Sequence, residues 1–230
     1  MKQLDDIVFI VQARLNSQRV PQKMIKPFNT KGRNTTLFDL VLDKLLDSNV
    51  IPKSNIIASV HEPELIQIAN KKGVSVFERS HLSANEDNSL QKIYEWHDKL
   101  PQFKYVVLIS GCNPLLTTTT IDNFTLNYLK SNKEGAFAVF EKKTYYWNNN
   151  GKPITDWKNA SIMNTKIVEP VYEAAHCLYA SRLDIIKEGK WMDTNYPPQP
   201  ELFVMDELEA FDIDYEWQFK LGEQLYVDRK

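Results

Sequence analysis

The sequence predicts an α/β fold of three layers, in which helices cover both faces of a doubly wound, mostly parallel (mixed) sheet, with a small β-arm inserted late in the chain. Three observations predict it. Strand-like and helix-like segments alternate through the first 140 residues, the rhythm of βαβ units. The runs "IVFIV" and "YVVLI" are apolar without interruption, as in strands buried on both faces. From Glu141 this texture gives way to a stretch with several Asn, a Gly-Lys-Pro turn and few periodic apolar positions.

Taken in order, "DIVFIVQA" (6–13) is the first strand, and "TLFDLVLDKLLDSN" (36–49) is a helix with Phe38, Val41, Leu42 and Leu45 on one face. "NIIASV" (55–60) returns to strand. The helix of "PELIQIANKK" stops at Gly73, a residue suited to the left-handed position past a helix end, and "VSVF" follows as a strand. A helix over 89–100 ends before Pro101, then come strand 105–110, helix 120–130 and strand 136–140. Residues 141–170 form the arm; bare in water, its Tyr145, Tyr146, Trp147 and Trp157 would be costly. It is either an ordinary surface insertion or an element that shapes a substrate pocket or a dimer contact. Beyond it lie strand 175–180, helix 181–191, strand 202–206 and "EAFDIDYEWQFKLGEQL", where a strand passes into a helix. No linker divides the chain, so residues 1–230 read as a single domain with 141–170 as an insertion within it.

Composition narrows the function. The chain has 28 basic and 30 acidic residues and a net charge of -2, which argues against a nucleic-acid binder. Cys112 and Cys177 lack the spacing of a zinc or redox site. No window approaches the ~20 apolar residues of a membrane span, and the N-terminal run breaks too early, at Gln12 and Arg14, for a signal peptide. A cytoplasmic protein with reduced thiols is expected.

Two features carry chemistry. Arg14, Arg19, Lys23 and Lys26 follow the first strand, the place where open α/β sheets bind ligands. Guanidinium forks and a compact ammonium suit a polyphosphate, although composition alone leaves a solvated basic loop equally open. Neither G-x-x-x-x-G-K-[ST] nor G-x-G-x-x-G occurs, which removes the main support for a P-loop or a dinucleotide fold. The second feature is "FDIDYE". On a strand, Asp212 and Asp214 share a face with carboxylates within ~5 Å. A divalent cation such as Mg²⁺ would relieve their repulsion; a solvated strand edge is the alternative.

Together these segments resemble the acylneuraminate cytidylyltransferases, the family of CMP-sialic acid and CMP-Kdo synthetases. That family opens with a strand and a pattern like "ARxxSxRxPxKxxxP", which stands here as Ala13, Arg14, Ser17, Arg19, Pro21, Lys23 and Pro27. "FERSHLSANEDNSL" is similar to its "RPxxLAxDxxS" segment, with Arg79, Leu82 and Ser89 in place and Ser80 for a usual Pro. "LISGCNPLLTTTTID", "VYEAAHCLYASRLDIIKEGKW" and "ELEAFDIDYEWQFKLGE" resemble later segments, so the likeness covers nearly the whole chain. Leu15-Asn16 stands where glycines are common. Cys112 replaces an aspartate of the Kdo branch, which leans toward the sialate side, and Gln218 stands where many relatives carry Asp.

The resemblance implies a nucleotide-diphospho-sugar transferase-like fold and transfer of CMP from CTP to an acidic ulosonate sugar, with Mg²⁺ as cofactor, in a pathway to surface glycans. It implies that Ala13, Arg14, Ser17, Arg19, Lys23, Arg79 and Ser89 bind nucleotide, and that Asp212 and Asp214 hold the metal. Arg14, Lys23, Asp212 and Asp214 are then the catalytic set, and Glu173 and His176 face the acceptor. Expected partners are CTP, a small acidic acceptor and a second copy in a homodimer, with no nucleic acid or membrane. Two rivals stand beside this reading: cytidylyl transfer to a non-sugar acceptor such as a phosphonate, and a non-catalytic nucleotide-binding homologue.

Overall fold

The computed structural model describes residues 2–85, 89–156, 164–191 and 199–229. In chain order the strands are β1 (Ile7–Gln12), β2 (Phe28–Thr30), β3 (Arg33–Thr35), β4 (Ile56–Val60), β5 (Ser75–Glu78), β6 (Tyr105–Ile109), β7 (Ala136–Lys142), β8 (Val171–Arg182) and β9 (Glu201–Val204). The helices are α1 (Leu37–Leu46), α2 (Pro63–Lys71), α3 (His81–Asn85), α4 (Leu90–Ile93), α5 (Thr118–Lys130), α6 (Leu183–Lys187) and α7 (Glu216–Asp228).

Seven strands form one sheet in the order β5-β4-β1-β6-β8-β7-β9, while β2 and β3 pair as a separate hairpin. β8 alone runs against its neighbours, antiparallel to β6 and β7; the other pairings are parallel. The three-layer, mostly parallel mixed sheet is therefore as expected. From β1 the chain winds outward to β4 and β5, then returns to place β6 on the other side of β1. The crevice beyond Gln12 and Ile109 is thus the topological switch point, where such sheets take ligands.

Alternation along β1 explains the layers. Ile7, Phe9 and Val11 enter a core with Phe38, Leu42 and Leu45 of α1, Phe124 of α5 and Phe219 of α7. Val8 and Ile10 point the other way, onto Trp96, Leu183 and Ile186. All five are buried, which is why the run carries no polar residue. Local signals set the helix ends: Thr36 caps α1 by accepting from Asp39 N at 3.0 Å, Thr117 does the same for α5 from Thr120 N at 3.1 Å, and Gly73 takes φ 70° after α2.

Three expectations need correction. The helix over 89–100 breaks into α4 and a 3₁₀ turn over Glu95–Asp98, because Tyr94 between them leaves helical geometry at φ -103°, ψ 46°; Trp96 is thereby buried and Tyr94 packs at a tilt against Trp191, 5.2 Å between centroids. The helix over 181–191 shortens to α6, since β8 continues to Arg182 opposite Tyr105. Finally, Phe211–Asp214 is not a strand but an extended connection between a 3₁₀ turn (Glu207–Ala210) and α7. Ile213 N donates to Cys112 O at 3.1 Å, a single bond to a loop rather than a ladder. In the arm, Trp147 bridges Pro153 in a short hairpin with Trp147 and Ile154 exposed; Trp157 lies outside the described residues.

Candidate active site

The loop after β1 is pinned by backbone before any ligand is considered. Ala13 N donates to Ser59 O at 3.1 Å, and Ile25 N and Lys26 N both donate to Gln22 O, at 2.9 and 3.0 Å. Gln22 holds φ 55°, a strained value for a residue with a Cβ. This tight turn aims Lys23 inward and leaves Arg19 half exposed, with 13% and 54% of their side chains accessible.

Across the crevice stands the acidic connection. Arg19 Nη2 lies 2.7 Å from Asp214 Oδ1, joining positions 195 residues apart, and the Arg19 guanidinium sits 5.3 Å from the Tyr215 ring. Lys23 Nζ donates to Ile213 O at 2.5 Å and stands 3.6 Å from Asp214 Oδ1. The structure therefore brings the N-terminal cations and the C-terminal carboxylates to one place. Ile213, fully buried, anchors the segment. Gln218 fixes its exit by accepting from Asp214 N and Tyr215 N, both at 2.8 Å. Those bonds, the Gln218 half of a capping box, give Gln218 a structural purpose.

Asp212 is the strained member. Burial pushes its carboxyl above the ordinary range and the charge of Asp214 pushes it further, while Lys23, His176 and Arg19 pull it back. Its Oδ1 is buried without a hydrogen-bond partner. An orphaned carboxylate oxygen beside a second carboxylate fits a bound cation. Among the described residues no three His, Cys, Asp or Glu side chains are grouped to hold a metal, so the two aspartates would need oxygens from elsewhere.

Two cavities share Gln12, Ala13 and Arg14. The first, about 550 Å³, is walled by Ser17, Arg19, Lys23 and Cys112; the thiol of Cys112 is raised by burial, against the pull of Lys23. The second, about 310 Å³, is lined by Arg79, Ser83, Tyr94, Ser110, His176 and Tyr179 among others. Arg14 reaches Ala84 O at 3.3 Å. Arg79, almost wholly buried, spends its guanidinium on Ala13 O at 3.2 Å and on Ser83, tying the basic loop to α3. Ser89 is the N-cap residue of α4, without a side-chain capping bond, and Glu173 of β8 is exposed opposite Phe140; neither lines the two cavities.

His176 does face the second cavity, with φ 52°, where the register of β7 and β8 shifts. Its Nδ1 meets Tyr179 Oη at 2.7 Å. Residues three apart face opposite ways on a regular strand; this bulge turns both to one side. Tyr179 was for that reason invisible to sequence patterning, as was Gln12, whose Oε1 accepts from Trp96 Nε1 at 2.8 Å. A Gln closing an apolar strand at the switch point is the signal that could have found it.

The family model described as Cytidylyltransferase matches residues 8–196, most of the chain. The protein belongs to the cytidylyltransferase family. It is accordingly a CTP-using nucleotidyltransferase, and the matched span holds the basic loop, both cavities and His176, while the acidic pair lies beyond it. Post-translational flagellin modification protein B of Campylobacter coli is 23% identical over 250 aligned positions, covering 98% of this chain and 97% of that protein. Two solved structures share the fold at 12% identity. CMP:2-keto-3-deoxy-manno-octonic acid synthetase complexed with CTP superposes with a TM-score of 0.69, covering 96% of this chain and 98% of that one. 4-Diphosphocytidyl-2C-methyl-D-erythritol synthase from Anaerococcus prevotii gives 0.68, covering 98% and 97%. No helix among the described residues is long and apolar enough to cross a membrane.

Proposed function

We propose that this cytidylyltransferase moves CMP from CTP to the anomeric hydroxyl of an acidic ulosonate sugar and releases pyrophosphate. The observation that carries the reading is the meeting of Arg19 and Lys23 with Asp214 at the switch point of the sheet. The acceptor class is supported by the likeness to the CMP:2-keto-3-deoxy-manno-octonic acid synthetase along nearly the whole chain, and a role in surface glycans by the flagellin modification relative.

In such a transfer the sugar oxygen attacks the α-phosphorus, the bond to the bridging oxygen of pyrophosphate breaks, pyrophosphate leaves with that electron pair, and the proton of the attacking hydroxyl passes to solvent water. The protein's task is positioning and charge neutralisation. Arg14, Ser17, Arg19 and Lys23 would grip the triphosphate from the first cavity, with Ala13 and Ser89 on the nucleotide side. Arg79 would act there through Ala13, which it already holds. Asp212 and Asp214 would hold Mg²⁺, whose part when bound is to neutralise charge at the α-phosphate. That ion characteristically keeps waters and binds through one or two carboxylates plus substrate phosphates, in keeping with a site of only two aspartates. Phosphates would replace Asp214 as partner to Arg19 and Lys23, so the cations keep a counter-charge throughout. His176, held by Tyr179, faces the acceptor; Glu173 would reach the acceptor only from the rim.

The test is pyrophosphate release from CTP and Mg²⁺ with a panel of ulosonic acids, phosphonates and phosphorylated polyols. Release with an ulosonic acid is the expected result. Release with a phosphonate or phosphopolyol alone would move the acceptor assignment, and no release with any of them would favour a nucleotide-binding homologue. A CTP consumer of this kind belongs in the cytoplasm, a placement that fractionation of the native cells would check. The exposed Trp147 and Ile154 of the arm and Tyr172 of β8 support a homodimer closed by the arm. Sedimentation at micromolar concentration should give twice the 26.8 kDa chain mass; a species at the single mass would contradict it.

A further inference from the structure

The loop assigned above to the triphosphate has no glycine between Ala13 and Phe28, so something other than glycine's backbone freedom must set its opening turn. Glu62 stands at the start of α2 as its N-cap residue, yet its side chain makes no capping bond to that helix. The short polar side chains favoured at this position accept from the helix's own first N–H groups. Instead, Glu62 Oε1 accepts the backbone N–H of Leu15 at 2.7 Å, across 47 residues of sequence. Its Oε2 is buried with no hydrogen-bond partner. A buried oxygen left without a partner adds nothing to the fold, so the bond to Leu15 is the hydrogen bond this side chain is placed to make. The charge of Glu62 also steadies Arg79, which burial and then Arg14 push down to about 10.

We propose that Glu62 is a positioning residue for CTP: by drawing the Leu15 N–H inward it fixes the peptide after Arg14 and so aims the loop's cations at the triphosphate. Leu15 follows Arg14 directly, and Arg14 lines both cavities. Turned the other way, the Leu15 peptide would carry the Arg14 backbone off the line set by Ala13, whose own N–H and carbonyl are held by Ser59 and Arg79. The inference rests on the reading of the first cavity as the triphosphate site.

The experiment compares wild type, Glu62→Ala and Glu62→Gln by steady-state kinetics and by CTP calorimetry, with backbone amide exchange at Leu15. Glu62→Ala should raise KM for CTP about tenfold, the scale of one lost charge-assisted hydrogen bond, with kcat within about threefold of wild type. Glu62→Gln keeps an acceptor oxygen at the same reach and should restore KM to within about threefold of wild type. The Leu15 amide should exchange slowly in wild type and in Glu62→Gln. An unchanged KM in Glu62→Ala, an equal defect in both variants, or a purely structural loss of active fraction would overturn the proposal. If Glu62→Ala does not fold, unprotected exchange of Leu15 in wild type overturns it alone. Failure of wild type to bind CTP at all would remove the functional reading and this inference together, whereas normal binding with an indifferent Glu62→Ala removes the inference only.

Discussion

Asp212→Asn is expected to lower kcat by about 10²–10³-fold, the scale of losing one group that stabilises transition-state charge, while raising the Tm of the ligand-free protein. The second half of this result distinguishes a functional carboxylate from a structural one. Asp212 is held above the ordinary carboxylate range by burial and by Asp214, and its Oδ1 has no hydrogen-bond partner. Ionising it therefore costs the fold stability. The sign follows from linkage: where the folded state holds the proton more tightly than the unfolded chain, stability falls as pH rises through the unfolded and then the folded value. The penalty is absent at pH low enough to protonate both states and complete above the raised native value. Asn should thus stabilise at neutral pH and lose this advantage in acid. A gain of about 1 kcal/mol would move Tm by about 2–4 °C in a chain of this length. Scanning calorimetry of both proteins at neutral and acid pH reads it directly; a lower Tm for Asp212→Asn at neutral pH would mean the carboxylate is satisfied.

Lys23→Met carries the second large effect, with the opposite sign on stability. The ammonium bonds Ile213 O, faces Asp214 Oδ1 at 3.6 Å, and counters the charge of Asp212. Removing it takes away the leading counter-charge to Asp212 and a neighbour of Asp214, so the ligand-free protein should melt earlier. Loss of its charge-assisted bonds, ~1.5–3 kcal/mol each, should cut kcat/KM for CTP by about 10–100-fold. Combining the two substitutions tests their coupling, because residues in one charge network are not additive. Asp212→Asn should stabilise the Lys23→Met background more than it stabilises wild type. Strict additivity in Tm and in kcat/KM would separate Lys23 from the acidic pair.

Much of this site was legible in the chain because its address follows from topology. Once β1 and β6 are read from unbroken apolar runs and β4 from the strand-like segment between two helices, the loop after β1 must lie at the switch point, and its cations with it. The meeting with Asp214 was less accessible, since no local pattern says where a segment 195 positions away returns. The strand read from "FDIDYE" was wrong, because the same alternation is satisfied by a connection with a single backbone bond to Cys112. Arg79 and Glu62 show the other limit. Each is a charged residue with a partner in the backbone of the basic loop, and backbone partners leave no trace in residue types. The bulge at His176 was hidden for a similar reason: a positive φ at a residue with a Cβ is imposed by the pairing of β7 with β8.

A crystal structure of the protein with CTP and Mg²⁺ tests the central claim most directly. The expected electron density has the triphosphate on Arg14, Arg19 and Lys23, and one cation touching a phosphate oxygen and both Asp212 and Asp214, with the Arg19–Asp214 pair opened. Nucleotide bound away from the loop after β1, or a cation that leaves both aspartates untouched, would contradict it.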